Sequence, residues 1–257
     1  MSQEYRQVFP DADALANAAA TELLRVARQS IQDRGIFTLA LAGGSTPRKL
    51  YGLLATAPAF QAFPWNDTHL FFGDERHVPP GHIDSNYLMA STSLFSSGRV
   101  PAANIHRVRA ELPDANMAAA DYDVELHTFF PGGLRLNGFP RFDVILLGMG
   151  PDGHTASLFP DSKGLEEKER WVIANWVEKF KTARITFTFP VLDAARNVLL
   201  LIAGADKAEM LREVLVTERD SAIYPVQRVR PVDGSKIWLM DTAAARLIEG
   251  FQPPSRP

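Results

Sequence analysis

Residues 148–160 read GMGPDGHTASLFP, with glycines at 148, 150 and 153 and then a histidine. An unperturbed imidazole titrates near pH 6.5, so His154 can accept a proton at neutral pH. Asp152, two residues earlier, is placed to orient or polarise that ring. An isolated loop histidine is ordinarily a surface residue. One placed at a strand-end rim among glycines, where the backbone can approach a ligand closely, reads as functional instead. A second stretch, GDERHVP at 73–79, puts Asp74, Glu75, Arg76 and His77 in succession. Four ionisable groups cannot all be buried, and strand alternation turns about half of them inward. A metal reading of Asp74, His77 and His82 lacks recognised ligand spacing, so no metal is expected. A third stretch, AGGSTP at 42–47, reads as a strand-to-helix turn in which Gly43 and Gly44 let the backbone bend and Ser45 or Thr46 caps the helix. Such a helix N-terminus carries about half a positive charge and suits a phosphate, although the lysine of a nucleotide-binding loop is missing. Arg184 and Lys207 are isolated cations that gain meaning only if a phosphate lies within reach.

The elements around these stretches follow from periodicity. Leu15, Ala19, Leu23, Val26, Ala27 and Ile31 recur at helical spacing, with Asp11 or Asp13 as cap and Gly35 as stop. IFTLALAGG, THLFFGDER, FDVILLGMG, RITFTFPVL, NVLLLIAG and SKIWLMD read as strands. STPRKLYGLL, ELPDANMAAADYDVELHTFF, DKAEMLREVL and TAAARLI read as helices, and PGGLRLNGFPR as a loop. Strands apolar on both faces and alternating with helices predict a mostly parallel sheet covered by helices on both faces, in a single α/β domain spanning 1–257. In such sheets ligands bind outside the carboxyl ends of the strands. That rule gathers 43–47, 73–78 and 148–154 at one rim.

Composition narrows the classes. Hydrophobic residues at 46% and charged residues at 22% suit a soluble globular chain with a substantial core. A net charge of −3 without a basic tail leaves no electrostatic footprint for non-specific nucleic-acid binding. The absence of cysteine excludes disulfides and thiolate catalysis. The first residues, MSQEYRQVFPDADALA, lack the apolar core of a signal peptide. The longest apolar run, around VLLLIAGA, falls well short of the roughly 18 to 20 residues a membrane span needs. A cytoplasmic protein is expected, monomeric or weakly homo-oligomeric.

Taken together, LAGGSTPRKLY (41–51), FFGDERHVPPGHIDSNYLMA (71–90), LLGMGPDGHTASLFP (146–160), RITFTFPVLDAARNVLLLIAGADKAEML (184–211) and YPVQRV (224–229) resemble the 6-phosphogluconolactonase family. The likeness covers most of the chain. It implies a Rossmann-like three-layer sandwich and hydrolysis of a phosphorylated sugar lactone without metal or organic cofactor. It also implies that His154 is the general base and Asp74 an active-site carboxylate. Gly43, Gly44, Ser45 and Thr46 would form part of the substrate rim, Arg76 would contact substrate, and Arg184 and Lys207 would hold the phosphate.

Two other readings compete. The amino-sugar-phosphate deaminases of the same superfamily follow their Asp-Gly-His triplet with Phe-Asn-Glu-Pro, whose acid supports ring opening. Here TASLFP follows, Phe159 stands at the glutamate's place, and Arg76 stands where a tyrosine is expected. A non-catalytic sugar-phosphate sensor could discard His154 and Asp74, and this chain keeps both.

Overall fold

The computed structural model describes residues 3–216 and 223–248. Among these residues eleven strands occur in chain order: β1 (Gln3–Phe9), β2 (Phe37–Leu41), β3 (Thr68–Phe72), β4 (Asp74–Arg76), β5 (Arg135–Leu136), β6 (Phe139–Pro140), β7 (Val144–Leu147), β8 (Val172–Val177), β9 (Thr182–Phe187), β10 (Asn197–Ile202) and β11 (Ser235–Asp241). Six of them form a wholly parallel sheet in the order β1-β11-β10-β7-β2-β3. Consecutive residues of β2 and β7 are all buried. Successive side chains of a strand point to opposite faces, so both faces of the sheet are covered. The α/β architecture with a parallel sheet is therefore as the apolar runs predict.

The helices are α1 (Ala12–Arg34), α2 (Ser45–Thr56), α3 (Asn86–Ser93), α4 (Ala115–Phe129), α5 (Phe189–Ala194), α6 (Ala208–Val216), α7 (Pro225–Arg228) and α8 (Thr242–Ala245). Asp11 caps α1, its Oδ1 accepting from the backbone N–H groups of Asp13 and Ala14 at 2.9 and 2.8 Å. Gly35 ends that helix in the left-handed region, at φ 78°. No helix among the described residues is long and apolar enough to cross a membrane.

Three expectations need correction. THLFFGDER is not one strand: Gly73 divides it, and Asp74–Arg76 leaves the parallel sheet. RITFTF does not join that sheet either. β4, β9 and β8 make a separate antiparallel sheet, because only residues 178–181 link β8 to β9. So short a connection can form a hairpin but not a parallel crossover. Third, Gly44 at φ 113° is the N-cap of α2, and neither Ser45 nor Thr46 caps it. Beyond these, β1, β8, α3 and α7 arise where no element was expected, the FPVL end of the expected strand RITFTFPVL lies in helix α5, 135–140 holds a two-strand hairpin within the expected loop, and the last helix is only Thr242–Ala245.

Candidate active site

The parallel sheet reverses direction of growth between β2 and β7, which are neighbours although far apart in sequence. Ligand crevices in open α/β sheets form at this switch, outside the carboxyl ends of the strands. The segments that follow β2, β3 and β7 are 43–47, 73–78 and 148–154, and they are brought together by Asn86, which abuts Gly43 and bonds Asp74, and by Ser157, which follows the last segment and bonds Asp74. Lys207 follows β10, the other neighbour of β7.

His154 is held from three sides. Its Nδ1 lies 2.5 Å from Asp152 Oδ1. A carboxylate can only accept there, so Nδ1 carries the hydrogen and the lone pair of the neutral ring is left on Nε2. The imidazole stacks on Phe159, with centroids 4.0 Å apart. Gly150 also abuts the ring, and a methyl group there would lie 2.0 Å from His154 Cε1 and Nδ1. Only glycine leaves room for the ring. Burial pushes the His154 imidazole below its ordinary value, more strongly than the hydrogen bond and charge of Asp152 and the charge of Asp74 pull it back up. Burial by itself would raise the Asp152 carboxyl, but the hydrogen bond and charge of His154 outweigh it and hold the group below its usual value. The dyad at neutral pH is thus a neutral imidazole beside a carboxylate.

Asp74 is buried on β4. Its Oδ2 accepts from Ser157 Oγ at 2.6 Å, and its Oδ1 faces Asn86 Nδ2 at 3.4 Å. Glu75, its neighbour, is also buried, so alternation does not divide the pair. Glu75 instead staples the start of α3. Its Oε1 accepts from the backbone N–H groups of Arg76 and Asn86, and its Oε2 from Ser85 Oγ and the N–H of Tyr87. His77 turns away, with Nε2 2.8 Å from the carbonyl oxygen of Leu112.

Arg76 and Arg184 sit opposite each other in the β4–β9 register. Arg184 lies against the rings of Phe180 and Phe159, with its Cζ 5.1 and 5.8 Å from their centroids. Burial, and then the charge of Arg76, push its guanidinium below the ordinary value, against the pull of Asp74. The Nε atoms of both arginines are buried without a hydrogen-bond partner among the described residues. Two adjacent, under-satisfied guanidiniums form a strong site for an oxyanion. Lys207 pairs with Asp206, Nζ to Oδ2 3.4 Å.

At the head of α2, Gly43 lies so close to α3 that a methyl group there would meet Asn86 Oδ1 at 2.1 Å. The first turn of α2 receives no side-chain cap, and Ser45 is exposed. Its backbone N–H groups are therefore open to an anion. Beside the dyad opens a cavity of about 970 Å³, whose lining includes Asp152, Phe159, Lys163, Trp176 and Lys179. It meets the rim only through Asp152 and Phe159, and His154, Arg184 and Lys207 do not line it. Arg76 and Arg184, with their buried Nε atoms, and His154 stand at the rim instead.

Sequence reasoning did not single out Ser157, Asn86 or Phe180. Ser157 shares the loop of His154, and Asn86 follows the helix cap Ser85, but neither carries a local pattern that points to Asp74.

The family model for "Glucosamine-6-phosphate isomerases/6-phosphogluconolactonase" matches residues 10–238. A 6-phosphogluconolactonase of Nostoc is 41% identical over 241 residues, 93% of this chain and 95% of that protein. One from Synechocystis is 42% identical over 216 residues, 84% of this chain and 86% of that protein. Among solved structures, 6-phosphogluconolactonase from Trypanosoma cruzi superposes with a TM-score of 0.83 at 27% identity, covering 97% of this chain and 98% of its own. The chain belongs to the glucosamine-6-phosphate isomerase/6-phosphogluconolactonase family.

Proposed function

We propose that this protein is a 6-phosphogluconolactonase, which hydrolyses 6-phosphogluconolactone to 6-phosphogluconate with His154 as general base. The observation that carries the reading is the Asp152–His154 hydrogen bond, which leaves Nε2 free at a rim shared with Arg76 and Arg184. Nε2 takes a proton from water as the water oxygen bonds to the lactone carbonyl carbon. The imidazolium so formed is stabilised by Asp152 directly and by the charge of Asp74. The carbonyl oxygen becomes an oxyanion, for which backbone N–H groups of the glycine loops and the Arg76 guanidinium are the available donors. The bond to the ring oxygen then breaks, and that oxygen receives the proton from His154. A positioned base contributes about 10²- to 10⁴-fold to such a step.

Arg184, Lys207 and the head of α2 with Gly43, Gly44, Ser45 and Thr46 bind the phosphate and hold the carbonyl carbon in register, which is an orientation effect. Phe159 bears on the rival reading. Its buried ring stacks on His154 at the position of the deaminases' acid, so no carboxylate stands there to assist the opening of an amino sugar.

The test is purified protein mixed with freshly made 6-phosphogluconolactone under pH monitoring, with the spontaneous rate subtracted. Acid release well above background on the phosphorylated lactone, and far slower release on the unphosphorylated one, is expected. Equal rates on both would remove the phosphate site. No rate above background, with ammonia released from glucosamine 6-phosphate instead, would establish the deaminase.

A further inference from the structure

Ser157 has no exposed surface, and all three of its polar groups are committed. Its N–H donates to Thr186 Oγ1 at 3.2 Å, its carbonyl accepts from Asn175 Nδ2 at 2.8 Å, and its Oγ donates to Asp74 Oδ2 at 2.6 Å. The three partners lie on β9, β8 and β4, the whole of the antiparallel sheet. Thr186 is moreover the register partner of Asp74. The residue before Ser157, Ala156, is held in the left-handed region at φ 47°. A side chain pays for that conformation, and it persists where the surroundings fix it from several directions. The loop that carries His154 out of the parallel sheet is thus pinned, three residues later, onto the sheet that carries Asp74, Arg76 and Arg184.

We propose that Ser157 is a positioning residue of this site. It fixes the Asp74 carboxylate from the His154 loop, so that base, acid and arginines keep one geometry although they come from two sheets. Buried as it is, Ser157 cannot touch substrate, and it acts through Asp74. Asn86 completes the clamp from α3, donating through Nδ2 to the Asp74 carbonyl at 2.9 Å. With Ser157 removed, the carboxylate keeps, among the described residues, only the 3.4 Å contact to Asn86 on its other oxygen, and its charge is free to swing out of register with His154 and Arg184. The inference rests on the lactonase reading.

A double-mutant cycle tests it. Ser157→Ala and Asp74→Asn are made singly and together, and kcat and KM for 6-phosphogluconolactone are measured for each. Ser157→Ala is expected to lower kcat by about tenfold to a hundredfold, the range of one hydrogen bond to a charged group, with KM within about threefold. In the Asp74→Asn background the same change should cost less than about threefold, because residues that act through one another are not additive. Ser157→Cys, similar in size and a weaker donor, should fall between wild type and Ser157→Ala, and it serves for the cycle if the alanine variant does not fold. Equal losses in both backgrounds would mean a merely structural serine, and a kcat within about twofold of wild type would likewise overturn the proposal. An inactive wild type would overturn the lactonase reading, and this inference with it. An active wild type with an indifferent Ser157→Ala overturns this inference alone.

Discussion

His154 can act as a base only through a nitrogen not already committed, and Asp152 decides which one that is. The 2.5 Å contact occupies Nδ1 and leaves Nε2 for water. On the proposed phosphate side, the ion pair that Lys207 makes among the described residues is with the exposed Asp206. Lys207→Ala should therefore raise KM for the phosphorylated lactone roughly tenfold, as expected for one charge-assisted hydrogen bond, with little change in kcat. A KM within about twofold of wild type would take Lys207 out of the site. The Asp152–His154 contact was legible in the sequence because it is local. Asp152 and His154 are two apart, and glycines mark their loop. Ser157 was not legible, because its meaning depends on Asp74, 83 positions away. No short-range pattern distinguishes a serine that clamps a carboxylate from one that caps a turn.

Among the elements, α1 and the 148–154 loop separate stability from activity. Asp11 accepts two backbone N–H groups at the head of α1, far in sequence from every rim residue. Asp11→Ala should cost about 1 kcal/mol of stability. Denaturant unfolding should show that loss while kcat and KM stay at wild-type values. Gly150→Ala should do the reverse, since its new methyl group would collide with the His154 ring. Activity should drop by at least about tenfold, and far-UV circular dichroism should not change. A fully active Gly150→Ala would show that the ring position is not critical. Whereas β1, QEYRQVF, is polar and largely exposed and gave no such signal, five of the parallel strands, β2, β3, β7, β10 and β11, were readable because each holds a short apolar run. The antiparallel sheet was not: β4 is three residues long, and β8, with Trp176 exposed in it, lacks a continuous apolar run. Only the four-residue link between β8 and β9 reveals their hairpin.

At the scale of the molecule, one connected apolar cluster extends from α1 through both sheets to α8, and we propose that the chain unfolds as one domain. Asp193 on α5 weakens that fold in a pH-dependent way. Its carboxyl is raised from 3.8 to about 7, because burial outweighs the hydrogen bond that Oδ1 accepts from the Arg230 N–H at 2.6 Å. Between those two values the folded chain binds more protons than the unfolded one, so rising pH costs stability through this group. Asp193→Asn keeps the acceptor and removes the titration. The melting temperature of the variant relative to wild type should climb as pH rises from about 4 to 7 and level off above. A difference independent of pH would show that Asp193 titrates like an ordinary carboxylate.

The central claim is that a neutral His154 draws the proton from water at a phosphate-bearing rim, and the pH dependence of the reaction tests it most directly. The quantity to measure is kcat/KM on 6-phosphogluconolactone from pH 5 to 8, for wild type and His154→Asn, with spontaneous opening subtracted at each pH. Because burial holds the imidazole below its ordinary 6.5, wild-type kcat/KM should rise through an apparent pKa below that value and then level off. His154→Asn should lose about 10²- to 10⁴-fold in kcat, lose the acidic limb, and keep a near-native KM, since the phosphate contacts are untouched. A variant that keeps more than about a tenth of the wild-type kcat, or the same acidic limb, would contradict the account and move the base to Asp74.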